Sequence, residues 1–192
     1  MQKKLVLFMP YIGGGGVEKN LFIIANYFSK KISDLYVLTT SKKYKHKFNK
    51  NIKFISPKKN LSDGLNIKLK YLIGLYFLFL FLIKNRHSVV FSFQANVYAI
   101  LLCKILNIKI IARSNSSPDG WYHNWIKKII YKIIIKNADL VIVNSKEFKL
   151  QMNRRFGIKS KCIYNPLDKN FIRINSKVKI KRSPFKRKGE LK

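Results

Sequence analysis

The chain has 192 residues, of which 47% are hydrophobic and 14% aromatic, and it carries 40 Lys and Arg against 8 Asp and Glu. This length accommodates one α/β domain with a short appendage and excludes two complete domains, while the hydrophobic content excludes a largely disordered chain. The formal net charge of +32 favours polyanionic partners such as phosphorylated substrates, anionic lipid headgroups or nucleic acid. An A/T-rich genome, which enriches Lys, Ile and Asn together, is the alternative source of this charge.

Strands and helices alternate from the first residues, which is typical of a parallel sheet covered on both faces by crossover helices. The predicted strands, from short apolar or β-branched runs, are 4–9, 35–40, 52–55, 89–93, 109–112, 140–143 and 161–164. The predicted helices are about 17–28, 67–85, 95–106, 121–136 and 145–156. From Lys169 onward basic residues dominate without any period. We therefore predict one Rossmann-like α/β domain over residues 1–168 and a basic linker or frayed tail over 169–192.

The two cysteines, Cys103 and Cys162, lie in a predicted helix and a predicted strand, with no second Cys or His at ligand spacing. A disulfide framework or a metal site is not expected, and we predict no metal and no cofactor. Residues 1–10 are too short and too strand-like for a secretory signal. We therefore expect a cytoplasmic protein.

The apolar stretch 71–83 is too short to span a bilayer, which takes about 18 to 20 residues. Its aromatic residues and the flanking Lys68, Lys70, Lys84 and Arg86 suit a helix that contacts the inner face of the cell membrane. A core helix with solvated lysines at its ends is the alternative.

Four glycines, Gly13 to Gly16, lie between the first predicted strand and helix. Backbone N–H groups presented there, at the positive end of a helix, bind phosphate. The run is neither GxGxxG nor a Walker loop, since no GK[ST] follows, and a tight βα turn is the alternative interpretation. Glu18 stands in the first helical turn, where an acidic residue caps the helix more often than it acts in catalysis.

The stretch KLVLFMPYIGGGGVEKNLFIIANYFSK comprises a predicted strand, a GG-x-E turn and an amphipathic helix. It resembles the opening of glycosyltransferase family 4. ADLVIVNSKEFKLQMNRRFGIKSKCIYNPLD is similar to the close of the family's first domain, with an Asn-Pro-x-Asp hinge into the second. The resemblance covers Lys4 to Asp168.

The resemblance implies a GT-B type enzyme, in which two Rossmann-like domains face a cleft and a sugar passes from a nucleotide-sugar donor with retention of configuration. This chain would be the N-terminal, acceptor-side half, extending a polysaccharide or lipid-linked glycan of the cell envelope. Gly14, Gly15 and Gly16, with Glu18 beside them, would lie near the donor phosphates. The family's second domain, with its paired glutamates, has no counterpart after Asp168, so we expect the chain to be inactive without a donor-binding domain, which a separate chain could supply.

The family also places chemistry in the loop after the predicted strand 109–112, often with a His that this chain lacks. Here the loop reads Arg113-Ser114-Asn115-Ser116-Ser117-Pro118. Arg113 and Asn115 are the catalytic candidates, and Ser114 is a candidate substrate-binding residue, since such groups hydrogen-bond sugar hydroxyls or phosphate. A merely structural turn is the alternative.

Four aromatic residues follow this loop: Trp121, Tyr122, His123 and Trp125. Their faces could stack on an acceptor sugar or meet lipid, with core packing expected for Trp125 and a surface position for His123. Two other classes of function are retained as alternatives. One is a non-catalytic protein of the membrane surface. The other is a nucleic-acid-binding module, which the basic tail suggests and the absence of a recognised binding motif disfavours.

Overall fold

The computed structural model describes residues 4–57, 64–117 and 124–178. Seven parallel strands form one sheet in the order β3-β2-β1-β4-β5-β6-β7. The strands are β1 Lys4–Phe8, β2 Leu35–Leu38, β3 Lys53–Ile55, β4 Ser88–Ser92, β5 Lys109–Ser114, β6 Leu140–Val143 and β7 Lys161–Cys162. The helices are α1 Gly16–Phe28, α2 Ile67–Lys84, α3 Asn96–Ile105, α4 Trp125–Ile135, α5 Lys146–Gln151 and α6 Lys169–Ser176.

The strand order reverses at β1, which pairs with β2 on one side and β4 on the other. Leu5 is level with Leu35 in β2 and with Val89 in β4. In an open parallel sheet this reversal separates the loops that leave the carboxyl ends of the two strands, and a crevice opens between them. The topology therefore places a binding crevice at the carboxyl ends of β1 and β4.

The core lies on both faces of the sheet, as the alternation within β1 shows. Val6 and Phe8 pack into a cluster with the inner sides of α2, α3 and α4, and Leu7 and Met9 pack into a second cluster with α1. Strands buried on both faces read as continuous apolar runs, and KLVLF in β1 is such a run. The predicted Rossmann-like α/β fold, with helices on both faces, is confirmed.

Two local predictions were wrong. The first eight residues of the predicted tail form α6, because the side chain of Asp168 accepts a hydrogen bond from the backbone N–H of Phe171 and caps the helix. Trp125, expected in the core, is 70% exposed, because the inner side of α4 is formed by Ile134 and Ile135 instead. Trp121, Tyr122 and His123 lie outside the described residues.

The apolar helix α2 has one buried and one exposed side. Gly74, Leu78 and Leu82 face inward, while Leu72 and Tyr76 are exposed. Within the described part of the chain, no helix is both long enough and apolar enough to cross a bilayer.

Candidate functional site

The glycine run forms the turn from β1 into α1. Gly14 has φ +96°, a left-handed conformation that glycine adopts without strain. Gly15 is the N-cap of α1, with no side chain bonded to the helix end. Among the described residues, none accepts a hydrogen bond from the amides of Gly14, Gly15, Gly16 or Val17. Four N–H groups at the positive end of a helix are thus free for an anion, which is the geometry predicted for phosphate binding.

The side chain of Glu18 hydrogen-bonds to the backbone of the glycine loop. Its side chain is buried, and its Oε1 accepts a hydrogen bond of 3.2 Å from the backbone N–H of Gly13. A Cβ atom on Gly15 would lie 2.9 Å from Oε2 of Glu18, so an alanine there would displace this carboxylate. Glu18 therefore holds the loop in its conformation.

The first half of helix α2 packs against the residues that precede the glycine run. The ammonium of Lys70 lies 4.5 Å from the centre of the Tyr11 ring, in a cation–π contact. Burial, together with the nearby carboxylate of Glu18, raises the pKa of Tyr71. Gly74 approaches so closely that a Cβ there would be 2.5 Å from Cβ of Pro10. The start of α2 and the loop after β1 form one packed unit. The sequence pattern predicts Lys70 at a membrane surface, whereas the structure buries it against Tyr11.

Arg113, at the end of β5, is only 1% exposed. Its Nε donates to Oδ1 of Asn115 at 3.3 Å, and its Nη2 donates to the carbonyl of Ile163 at 3.3 Å and to Oδ1 of Asn165 at 2.9 Å. Burial lowers the pKa of Arg113, and no carboxylate of the described residues forms an ion pair with it. The guanidinium thus joins the end of β5 to the segment after β7 through neutral acceptors.

The other loop candidates are also held by backbone groups. Asn115 donates from Nδ2 to the carbonyl of Phe93 at 3.2 Å, which ties the end of β5 to the end of β4. The hydroxyl of Ser114 is buried and donates to the carbonyl of Ser116 at 3.1 Å. These contacts fix the loop in one conformation.

A cleft of about 510 Å³ opens at this edge of the sheet. Its lining comes from the starts of α1, α2 and α3, the end of β5 and the inner side of α4. Arg113, Ser114 and Asn115 belong to the lining, whereas the glycine loop meets the cleft only through Val17. The loop after β5 therefore lines the cleft, and the glycine loop lies beside the cleft without lining it.

The loop between β4 and α3 contributes a part of the cleft that sequence reasoning missed. Oε1 of Gln94 and Oδ1 of Asn96 are buried without a hydrogen-bond donor among the described residues, and both side chains line the cleft. Ala95 between them has φ +54°, a left-handed conformation that is uncommon for a residue with a Cβ. Strained backbone and unpaired polar atoms concentrate at binding sites. The only sequence signal was their place after a strand.

In the part of the chain that the structure describes, no group of three His, Cys, Asp or Glu side chains is placed to hold a metal ion.

A parallel sheet with a crevice at its switch point and a glycine-rich turn after its first strand is the architecture of a Rossmann-like domain. The sequence profile of Glycosyltransferase Family 4 matches residues 14–171. Since this match covers most of the chain, the chain belongs to that family. Among curated protein sequences, none matches it.

Solved glycosyltransferases share the fold. HepE of Anabaena in complex with UDP superposes with a TM-score of 0.62 at 15% identity, over 87% of this chain and 45% of HepE. A glycosyltransferase of Rickettsia africae gives 0.59 at 17% identity, over 92% of this chain and 49% of that chain. UGT2 of Phytolacca americana, complexed with UDP-2-fluoro-glucose and pterostilbene, gives 0.54 at 11% identity, over 92% and 57%. The chain thus spans about half the length of these proteins, and the expected half of a GT-B fold is confirmed.

Proposed function

We propose that this chain is the acceptor-side half of a retaining glycosyltransferase that moves a sugar from a nucleotide-sugar donor to a growing polysaccharide or lipid-linked glycan of the cell envelope. Support comes from its family and from HepE, which has been solved with UDP-glucose. The donor-binding half would be supplied elsewhere, in the same polypeptide or as a separate chain, and the domain described here would be inactive without it.

The observation that carries the proposal is the set of unpaired amides at the start of α1. When a glycosyl bond to a nucleotide breaks, negative charge develops on the departing diphosphate. Amides fixed at a positive helix end stabilise that charge without reorganising. Val17 places this helix end beside the cleft, so the donor phosphates and the acceptor would meet at its mouth.

The acceptor would occupy the cleft itself. Gln94 and Asn96 have oxygens that lack donors, and sugar hydroxyls are donors. The terminal torsion of an amide side chain is soft, so a small rotation would turn these oxygens toward a ligand. Arg113 and Asn115 would then act mainly as positioning residues, because their side chains hydrogen-bond to each other and to other groups of the protein.

The test uses two glycines with the same backbone conformation. Gly14 has φ +96° and lies in the loop, whereas Gly64 has φ +98° and precedes α2. Gly14→Ala and Gly64→Ala should destabilise the chain comparably through backbone strain, with an added contact of 3.1 Å to the Tyr44 hydroxyl at Gly14. We expect UDP to shift the amide NMR signals of Gly14 to Gly16, and Gly14→Ala alone to weaken this binding by about tenfold or more, as expected for loss of an oriented anion site.

Two results would contradict the proposal. One is UDP binding that Gly14→Ala and Gly64→Ala change equally. The other is a UDP-dependent shift confined to residues away from the start of α1. Sugar transfer itself is measured with the donor-binding half present, as release of UDP from UDP-glucose in the presence of a lipid-linked acceptor.

A further inference from the structure

Helices α2, α3 and α4 lie side by side on one face of the sheet, and their outer sides are apolar. The inner sides pack into one core cluster, and α3 contacts both of its neighbours. On the outer sides, large hydrophobic residues are exposed, among them Leu72, Tyr76, Leu101, Ile105, Trp125 and Ile133. We call this outer surface the three-helix face. It carries more than half of the exposed large hydrophobic residues of the described chain.

These side chains form continuous stripes. In α3, Tyr98, Leu101 and Ile105 follow one another at spacings of three and four residues, and in α4 Trp125 and Ile133 stand two turns apart with Ile129 between them. Residues at such spacings share one side of a helix. Ile105 is 80% exposed. A contiguous exposed apolar surface marks an interaction site, whereas single exposed apolar residues do not.

The charges of this face have one sign. The outer sides carry Lys68 and Lys84 in α2, Lys104 in α3, and Lys127, Lys128 and Lys132 in α4, and none of the three helices contains an Asp or Glu. Its partner must therefore accept apolar and aromatic side chains and carry negative charge. An anionic lipid bilayer has both properties at one surface.

We propose that the three-helix face binds the surface of an anionic bilayer, with the helices lying at the headgroup level. No described helix spans a membrane, which is consistent with helices that lie on the surface and do not cross it. Trp125, Tyr76 and Tyr98 have the amphipathic rings that favour the interface. A second copy of this chain is a poorer partner, because two lysine-rich faces without acidic residues repel each other.

The cleft opens next to this face. Tyr98 of α3 and Tyr131 of α4 both line the cleft, and Tyr98 is also exposed on the three-helix face. An acceptor anchored in the bilayer by a lipid would therefore reach the cleft without leaving the membrane surface. This consequence rests on the proposed transferase function, whereas membrane binding itself does not.

The test measures co-sedimentation of the full chain with vesicles of phosphatidylcholine, with and without about 30 mol% phosphatidylglycerol as the anionic lipid. The affinity of the wild type for the anionic vesicles should be at least about tenfold higher than its affinity for the neutral ones. The variant Ile105→Ser/Trp125→Ser/Ile133→Ser should lose about tenfold or more of the binding to both, because apolar insertion is removed. Lys104→Gln/Lys127→Gln should lose mainly the preference for phosphatidylglycerol.

The matched control is Lys30→Gln/Lys31→Gln, which removes the same charge at the end of α1, on the opposite face of the sheet. It should bind anionic vesicles like the wild type. Equal losses in both lysine variants would overturn the proposal, because the attraction would then come from net charge alone. Wild-type binding by the triple serine variant, with unchanged thermal unfolding, would also overturn it, as would a wild-type dimer that this variant converts to monomers.

The UDP-dependent shifts at Gly14 to Gly16 report separately on the proposed function. A chain that binds UDP but not vesicles would refute the membrane surface only. A chain that binds vesicles but not UDP would refute the donor-phosphate role only.

Discussion

Helices α1 and α4 cover opposite faces of the same sheet and differ on their outer sides. Helix α1 buries Leu21, Phe22 and Ala25 against the strands and exposes Lys19. Helix α4 buries Ile134 and Ile135, yet it exposes Trp125 and further isoleucines. Packing on the sheet explains most apolar residues of α1, where Tyr27 is the exposed exception, but fewer than half of those of α4. The proposed contact with a bilayer would account for this difference, because it would give the outer side of the three-helix face a second apolar environment.

The largest expected effect separates the two sides of α4 at neighbouring residues. Ile134 is 8% exposed and Ile133 is 59% exposed. Ile134→Ala should lower the free energy of unfolding by about 2–5 kcal/mol, since it leaves a core cavity. Ile133→Ala should change it by less than about 0.5 kcal/mol. Urea unfolding followed by circular dichroism measures both, and similar losses would show that the outer side is already packed against protein.

A smaller effect is expected on the inner side of α2. Gly→Ala within a helix ordinarily stabilises by about 0.5–1 kcal/mol. Gly74→Ala should instead destabilise by about 1–3 kcal/mol, since the added Cβ would meet Cβ of Pro10 at 2.5 Å. Thermal unfolding gives the sign of the change. A stabilised variant would contradict the close contact between Gly74 of α2 and Pro10 in the loop after β1.

The smallest effect concerns the reactivity of the two cysteines. Cys103 is buried on the inner side of α3, whereas Cys162, in β7, is only partly buried. Burial raises the pKa of Cys103 to about 12, and the charge of Asp139 contributes. With a disulfide reagent at pH 8, Cys162 should react at least about tenfold faster than Cys103, because the thiolate is the reactive form. Equal rates, followed by mass spectrometry of the labelled peptides, would mean that water reaches this side of α3.

The same thiol gives a pH dependence with a defined sign. The folded state holds the proton of Cys103 more tightly than the unfolded state, so its contribution to stability is complete below the ordinary thiol pKa near 9 and is lost as pH rises toward 12. The difference in unfolding free energy between the wild type and Cys103→Ala should therefore shrink over that range. Taking the difference cancels the lysines, which titrate in both proteins. A constant difference would contradict the buried thiol.

The alternating pattern predicted most of the fold because each strand is a short apolar run between turn residues. The predicted helix after Asn144-Ser145 is confirmed in α5, capped by Ser145 and followed by a π-helical turn that ends at Gly157. The pattern failed at α6, a helix of only eight residues that includes Lys169 and Arg173 and depends on one cap, Asp168. It also failed at Trp125, because α4 is apolar on both sides and its sequence does not indicate which side meets the sheet.

The candidate site was predictable only where one local segment forms it. The glycine run and the loop after β5 each carry their own signal. Tyr71, Gln94 and Asn96 reach the cleft from α2 and from the loop after β4, and only the strand order brings them together. No local pattern marks such residues, because their neighbours in space are distant in sequence.

The edges of the sheet limit how copies of this chain can associate. The edge strands β3 and β7 contain only three and two residues, and each begins with a lysine, Lys53 and Lys161. Short, charged edges are poor templates for a strand from another molecule. Fibril-like growth by strand addition is therefore disfavoured, and clustering of the protein at high concentration should be reversed by detergent or lipid, which cover apolar helices, and not by agents that compete for backbone hydrogen bonds.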